Sequence, residues 1–163
     1  MNTAYDRSSR ATDEWYTPKE IIDSLGEFDL DPCAPEKPLW PTASVMWNKH
    51  DDGLSRDWRG RVWLNPPYSR PLILQFVGKM AAHGNGIALL FNRCDNAMFH
   101  DIIFPTATAM KFLRKRIRFY RPDGSQGASP GCSSVLIAWG EDNATAIRNC
   151  KLDGKYIRLK ESI

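Results

Sequence analysis

The sequence lacks the features that mark membrane, secreted and disordered proteins. Its longest apolar runs, residues 87–91 and 135–139, are far shorter than the roughly 20 residues that a membrane-spanning helix needs. Residues 1–12 are polar and contain no apolar core of a signal peptide, so we expect a flexible N-terminus on a cytoplasmic protein. With 42% hydrophobic residues among 163, the chain can bury a core, which argues against disorder.

Cysteine and histidine are few, and neither sign of charge dominates. The four cysteines form no Cys-x-x-Cys pair, and the three histidines have no metal-ligand spacing. We therefore expect reduced thiols and no metal site. A formal net charge of +3 is too small to indicate a nucleic-acid partner, although it permits one where basic residues cluster.

The length of the chain, with no internal repeat, long linker or break in composition, predicts a single domain over residues 13–163. Helices are expected after Thr17, at 71–83 and at 97–104; strands are expected at 28–31, 45–47, 61–64, 87–91, 109–113, 117–120 and 135–139. For the first helix, Thr17 is the expected N-cap, with Pro18 at the first helical position, Glu20 closing a capping box and Gly26 beyond the end.

The order of these segments predicts an α/β fold. Strands and helices alternate early in the chain, which favours a mixed, mostly parallel sheet of seven strands or fewer. Two later strands, 117–120 and 135–139, flank a loop rich in Gly, Ser and Pro. We expect them to form an antiparallel hairpin at one edge of the sheet.

The sharpest motif is Asn65-Pro66-Pro67-Tyr68, which follows an expected strand at the place where open α/β sheets usually bind ligands. Asn65 and Pro66 each precede a proline, so both are driven into extended backbone, and neither proline has an N–H to occupy a nearby acceptor. The Asn65 side-chain oxygen and the Pro66 carbonyl can then accept the two hydrogens of an exocyclic amine, with Tyr68 as a flat wall.

An amine on a planar base needs this help because its lone pair is delocalised into the ring. Accepting both N–H hydrogens draws the nitrogen toward tetrahedral geometry and stabilises the positive charge that develops as it attacks. No base of low pKa is required, since the proton can leave after the new bond has formed.

Three segments together carry a family resemblance. The tetrapeptide at 65–68 resembles the catalytic motif of S-adenosylmethionine-dependent amino-methyltransferases, particularly the adenine-N6 DNA enzymes. Asp31-Pro32-Cys33-Ala34 resembles their cofactor loop, and Trp15-Tyr16-Thr17-Pro18 resembles the Thr-Pro segment that precedes it. With Asp52-Gly53-Leu54 and Trp58 in between, their order is similar to the small phage-type Dam N6-adenine methyltransferases over residues 13–140.

The resemblance implies a compact Rossmann-like domain that transfers a methyl group from S-adenosylmethionine to N6 of adenine in double-stranded DNA, after base flipping. It assigns the catalytic role to Asn65, Pro66, Pro67 and Tyr68. It assigns cofactor binding to Trp15, Tyr16, Thr17, Pro18, Asp31, Pro32, Cys33, Ala34 and Asp52. It implies no metal.

The cofactor half departs from the family pattern. No glycine follows Ala34 until Gly53, so the Gly-rich cofactor turn of larger methyltransferases is absent. The resemblance implies a compressed cofactor half, with Asp31 near the sulfonium or methionine end and an acid among Asp51, Asp52 and Asp57 on the ribose hydroxyls. Asp52 and Asp57 are equally explained as helix or turn caps.

Residues 114–121 carry five basic residues and no acid. A basic strand with adjacent aromatic residues can hold phosphates while a ring packs on a base, and the resemblance suggests Phe119 or Tyr120 as the opposite wall of the target pocket. The expected DNA-binding residues are Arg114, Lys115, Arg116, Arg118, Phe119 and Tyr120. The competing interpretation is a solvated edge strand that charge protects from aggregation.

Other functions fit parts of the same pattern. Asn-Pro-Pro-Tyr also occurs in enzymes that resemble methyltransferases of RNA bases or of the glutamine amide of release factors, whereas cytosine-N4 enzymes usually have Ser first. The missing glycines also allow a non-catalytic DNA-binding protein on a degenerate methyltransferase fold. The phage-type resemblance suggests protection of viral DNA from host restriction.

Overall fold

The structure, a computed structural model, describes residues 15–161. The expected flexible segment 1–12 lies outside these residues. The described part is an α/β domain built on a seven-stranded sheet with the order β2-β1-β3-β4-β6-β5-β7. The strands are β1 Leu30–Asp31, β2 Val45–Met46, β3 Val62–Leu64, β4 Gly86–Phe91, β5 Ala109–Leu113, β6 Ser134–Trp139 and β7 Gly154–Arg158.

The sheet divides into a parallel half and an antiparallel half. Strands β2, β1, β3 and β4 pair in parallel, so the chain leaves all four at the same edge of the sheet. The pairs β4–β6, β5–β6 and β5–β7 are antiparallel. A mixed sheet was expected, and the sheet is mixed. Half of its strand pairs are antiparallel, however, so the expectation that most pairs would be parallel is wrong.

Helices cover both faces of the sheet. They are α1 Lys19–Ser24, α2 Leu72–His83, α3 Phe104–Thr106 and α4 Glu141–Asn149, with a π-helical segment Phe99–Ile103 before α3. One face packs against α2 and the π-helical segment, and the other against α1 and α4. Alternate residues of β3 enter the two cores: Val62 and Leu64 face α2, and Trp63 faces α1.

The start of α1 differs from the sequence expectation. Pro18, not Thr17, is the N-cap, and no side chain caps this helix. The Thr17 hydroxyl instead accepts a hydrogen bond from the side-chain amide of Asn65. The end matches the expectation, because Gly26 follows Leu25 with a φ of 86° that favours glycine.

Pro105 does not end the third helix, contrary to the expectation for 97–104. Helical backbone continues to Thr106, with Pro105 inside α3. Proline within a helix lacks an N–H and collides with the preceding turn. The preceding backbone is widened into a π-helix, in which the Phe104 N–H bonds to the Phe99 carbonyl, and such widening relieves that collision.

The predicted strand at 117–120, and with it the predicted hairpin to 135–139, is wrong. Strand β6 is flanked by β4 and β5, which leaves no free edge beside it for residues 117–120. Tyr120 instead makes isolated bridges to Tyr16 and Gln126. Residues 114–133, here named the β5–β6 segment, therefore form an irregular excursion between two paired strands. The antiparallel edge strand is β7, which pairs with β5.

Candidate functional site

A large cavity lies at the edge where the four parallel strands end. It has a volume of about 690 Å³ and is lined by the chain that follows β1, β2 and β3, by the end of β4 and by the β5–β6 segment. In α/β sheets this edge is the usual ligand site, because the loops leaving parallel strands converge there.

The side chain of Asn65 is held by its nitrogen. Its Nδ2 atom donates to Thr17 Oγ1 at 3.1 Å and to the Trp15 carbonyl at 3.3 Å. Within the described residues, its Oδ1 atom receives no hydrogen bond. The amide is thus oriented with its acceptor end available at the cavity wall, where Asn65 lies beside Pro66 and Pro67.

Tyr68 stands at the mouth of the cavity and continues into an aromatic wall. Its ring lies 4.9 Å from that of Phe91, whose backbone N–H donates to the Tyr68 hydroxyl at 2.8 Å. Phe91 in turn contacts Phe119 edge to face, at 6.2 Å between centroids. Tyr68 is 38% exposed, so this wall of aromatic side chains reaches the surface.

The opposite side of the cavity is formed by the loops after β1 and β2. Pro32, Cys33 and Ala34 line it together with residues 48–49 and 52–54. A Cβ atom on Gly53 would stand 2.6 Å from the Pro32 carbonyl oxygen, so only glycine allows the two loops to pack this closely. A glycine distant in sequence thus allows close packing of the loop after β1, which contains no glycine of its own.

One of the three candidate acids for the ribose lies at this cavity. Asp52 lines it, with a φ of 53° in the left-handed region that aspartate tolerates better than most residues. The Asp51 carboxylate instead accepts the Asn48 N–H at 2.9 Å, which is a structural role. Asp57 is exposed and does not line the cavity.

Asp31 lies beside the large cavity and not on its wall. It lines a small cavity of about 30 Å³ with Asn65 and Thr17, and its carboxylate accepts hydrogen bonds from Thr42 Oγ1 and the Cys33 N–H. Burial raises the pKa of Asp31 to about 6, against the lowering effect of these two bonds. Burial and the Asp31 carboxylate also raise the pKa of the Cys33 thiol, which disfavours a nucleophilic role.

The buried carboxyl of Asp31 predicts a pH dependence of stability. Folding raises its pKa from the ordinary 3.8 to about 6, so the folded chain holds more protons between these values and loses stability as the pH rises through them. Asparagine can accept from Cys33 and donate to Thr42, without a charge. We expect Asp31→Asn to raise the melting temperature by several degrees above about pH 6, and little below about pH 4.

Thermal unfolding of both proteins between about pH 4 and 8 measures this effect, with the exposed Asp57→Asn as control. A difference in melting temperature that stays constant over this range would contradict the assignment to Asp31 ionisation.

The four residues at 15–18 divide between two environments. Trp15 lines both cavities, whereas Tyr16 and Thr17 line the small one. Tyr16 is buried, and its hydroxyl donates to the Lys37 carbonyl at 2.7 Å. Pro18 lines neither cavity and starts α1. Of this expected cofactor segment, the structure brings Trp15 to the large cavity.

Two of the arginines expected to bind DNA, Arg116 and Arg118, hold a loop together with Arg121, which was not among them. Arg116, Arg118 and Arg121 donate to the backbone carbonyls of Pro130, Gly127 and Gln126, at 3.1, 2.9 and 3.2 Å respectively. These bonds fix residues 128–131 as a wall of the large cavity. Arg116, Arg121 and Phe119 thus line the same cavity, on an irregular segment and not on the predicted strand.

The remaining expected DNA-binding residues differ in surroundings. Arg114 is exposed and faces Asp153 at 3.5 Å, and Lys115 is exposed. Phe119 lines the large cavity and is 9% exposed. Tyr120 does not line it and packs edge to face on Trp40 at 5.1 Å. Of the two aromatic residues suggested for the target pocket, Phe119 lines the cavity and Tyr120 does not.

Several lining residues were not anticipated from the sequence. They are Asn48, Lys49, Leu72, Phe76, Phe91 and Arg121. The position of Phe91 at the site could have been predicted from the sequence. Phe91 ends β4, and the neighbouring strand β3 leads into the motif at 65–68. The others follow from packing between segments that are far apart in sequence.

Residues 15–161 lack two features. No group of three or more His, Cys, Asp or Glu side chains is arranged to hold a metal ion. No helix in this part of the chain combines the length and the apolar character needed to cross a membrane.

Comparison with known proteins agrees with the motifs. The model of the DNA N-6-adenine-methyltransferase (Dam) family matches residues 6–149. A DNA N-6-adenine-methyltransferase of Escherichia phage T1 is 39% identical over 87 residues, a match that covers 48% of this chain and 35% of the phage protein. No solved structure matches significantly. The match over 6–149 confirms the resemblance, and the chain belongs to the DNA N-6-adenine-methyltransferase (Dam) family.

Proposed function

We propose that the chain transfers a methyl group from S-adenosylmethionine to N6 of adenine in double-stranded DNA. The observation that carries this proposal is the orientation of Asn65, whose Nδ2 is held by the protein while its Oδ1 is left as an acceptor at the cavity. Membership of the family supports the choice of adenine and DNA. The seven-stranded sheet, with helices on both faces, supports a Rossmann-like methyltransferase fold.

The residues at the cavity fit S-adenosylmethionine. The volume of about 690 Å³ falls within the range of cofactor sites, roughly 300–1,000 Å³. Asp52 offers a carboxylate of the kind that binds ribose hydroxyls, and Pro32, Ala34 and Leu54 offer apolar contacts. When bound, the cofactor supplies an electrophilic methyl group on a sulfonium.

The reaction requires the chain to activate and orient an amine. Asn65 Oδ1 and the Pro66 carbonyl, neither of which receives a hydrogen bond within the described residues, would accept the two N6 hydrogens. These contacts strengthen as positive charge develops on the nitrogen, so they favour the transition state over the bound base. The amine proton then leaves to solvent, and no side chain need act as a base.

Access to the amine requires the adenine to leave the duplex, which costs a few kcal/mol. Tyr68, Phe91 and Phe119 would offset this cost by stacking and apolar contact with the extruded base. Arg116 and Arg121 at the rim, with the exposed Lys115, place positive charge where the flanking phosphates would lie.

The proposal is tested by incubating the purified chain with labelled S-adenosylmethionine and unmethylated duplex DNA, followed by nucleoside mass spectrometry. N6-methyladenine in DNA is the expected product. Transfer to RNA or to a release factor without transfer to DNA would overturn the substrate assignment. Failure to bind the cofactor by calorimetry would instead favour a non-catalytic DNA-binding protein.

Asp52 provides a test of the cofactor half. Asparagine also tolerates a positive φ, so Asp52→Asn preserves the loop while it removes the charge. Because hydrogen bonds to charged groups are worth roughly 1.5–3 kcal/mol, we expect the Kd for S-adenosylmethionine to rise about tenfold. Asp57→Asn, an exposed residue away from the cavity, is the matched control. Equal affinity of both variants for the cofactor would refute the role of Asp52.

A further inference from the structure

Residues 15–17, here named the strap, connect the Asn65 loop with the β5–β6 segment. Tyr16 and Tyr120 exchange two backbone hydrogen bonds, of 2.9 and 3.0 Å. The indole Nε1 of Trp40 donates to the Thr17 carbonyl at 2.9 Å. Thr17 itself is buried, with an exposed fraction of 4%. Hydrogen bonds to Tyr120 and Trp40 thus hold the backbone of the strap in place where it contacts Asn65.

The strap determines which end of the Asn65 amide faces the cavity. The oxygen and nitrogen ends of an amide have nearly the same shape, so only hydrogen-bonding partners distinguish them. The Trp15 carbonyl, 3.3 Å from Nδ2, can only accept, and it would repel Oδ1. The Thr17 hydroxyl provides the second and shorter bond to Nδ2, at 3.1 Å. Because a hydroxyl can donate or accept, the Trp15 carbonyl selects the orientation, and the Thr17 bond holds the amide in it with Oδ1 directed away from the strap.

Thr17 does not line the large cavity, where the cofactor is proposed to bind. It lines the small cavity with Asn65 and Asp31. Its side chain also does not cap α1. Within the described residues, the Thr17 hydroxyl contacts the site through its hydrogen bond with Asn65.

We propose that Thr17 is a positioning residue for Asn65, which acts by orienting the amide and not by binding the cofactor. This inference rests on the proposed function, because it assigns the Asn65 oxygen to the amine of the target base. It replaces the role at the cofactor that the family resemblance implied for Thr17. The effect should therefore appear in turnover and not in cofactor affinity.

Two substitutions at Thr17 separate orientation from packing. Thr17→Val keeps the shape and removes the hydroxyl, whereas Thr17→Ser keeps the hydroxyl and removes a methyl group. Loss of one neutral hydrogen bond should lower kcat about tenfold in Thr17→Val. We expect KM for DNA and the calorimetric Kd for S-adenosylmethionine to change less than about threefold, and Thr17→Ser to retain kcat within about threefold. Thr145→Val, exposed on α4, is the matched control.

The side-chain amide of Asn65 in the unaltered protein gives a second measurement by nitrogen-15 NMR. Slow hydrogen exchange and small temperature coefficients at Nδ2 are expected from its two bonds. A freely exchanging amide, an unchanged kcat in Thr17→Val, weakened cofactor binding alone, or no rescue by serine would each overturn the inference. Absence of methyl transfer by the unaltered protein would refute the proposed function, while the NMR result would still decide whether the strap holds Asn65.

Discussion

Replacing Asn65 by alanine is expected to lower the rate of methyl transfer about a thousandfold, because the variant loses the acceptor that stabilises charge on the attacking amine. Alanine also leaves the Pro66 carbonyl as the remaining acceptor of the pair. The hydrogen bond from the amine to Asn65 is stronger in the transition state than with the bound base. Its removal should therefore lower kcat. Single-turnover transfer of labelled methyl groups to duplex DNA measures it.

The controls for Asn65→Ala must separate chemistry from folding. Asn149→Ala, exposed on α4 and away from the cavity, removes the same groups and should retain full activity. Cofactor affinity by calorimetry should change little in both variants, and the melting temperature only modestly, because Asn65 is half-buried. An Asn65→Ala variant with normal turnover would refute the proposed mechanism.

The sequence predicted the parallel half of the sheet better than the antiparallel half. β3 and β4 carry short apolar runs between turn residues, and both were expected within a residue or two. The edge strand β7 was missed, because Gly154–Arg158 alternates half-buried and exposed residues and has no long apolar run. The segment 117–120 has a strand-like composition, but its neighbours in the fold leave it no partner in the sheet.

The site was predictable where a single segment carries the chemistry. The motif at 65–68 follows a parallel strand and lines the cavity at the edge where open α/β sheets usually bind ligands. The pairing of Gly53 with Pro32 and the bonds from the arginines to the loop at 126–130 depend on contacts between distant segments. No local pattern encodes such contacts, so the sequence left these roles open.

The arginine bonds also change how the basic segment is understood. A guanidinium that donates to a loop carbonyl can still present other N–H groups to a phosphate, because arginine has five donors. Arg116 and Arg118 would then build the target pocket and contact DNA with the same side chains. Such dual use would let one segment serve both roles.

Replacing Tyr68 by alanine is expected to lower kcat/KM for DNA about a hundredfold, the second largest effect at the site. Stacking of a base on an aromatic side chain is worth roughly 1–3 kcal/mol, and the ring of Tyr68 is the exposed end of the aromatic wall. Without it the extruded adenine loses a contact that offsets the cost of flipping. Fluorescence of 2-aminopurine at the target position should therefore rise less in Tyr68→Ala than in the unaltered protein.

Tyr68→Phe separates the ring from the hydroxyl. Phenylalanine keeps the stacking surface but leaves the Phe91 N–H without the hydroxyl that accepts its hydrogen bond. We expect a loss in kcat/KM of less than about tenfold, since one neutral hydrogen bond contributes roughly 1 kcal/mol. Tyr156→Ala, on the edge strand β7, controls for the removal of a tyrosine far from the cavity. If Tyr68→Phe were as defective as Tyr68→Ala, the hydroxyl contact with Phe91 would be the decisive feature, and Tyr68 would act by fixing the end of β4 and not by stacking on the base.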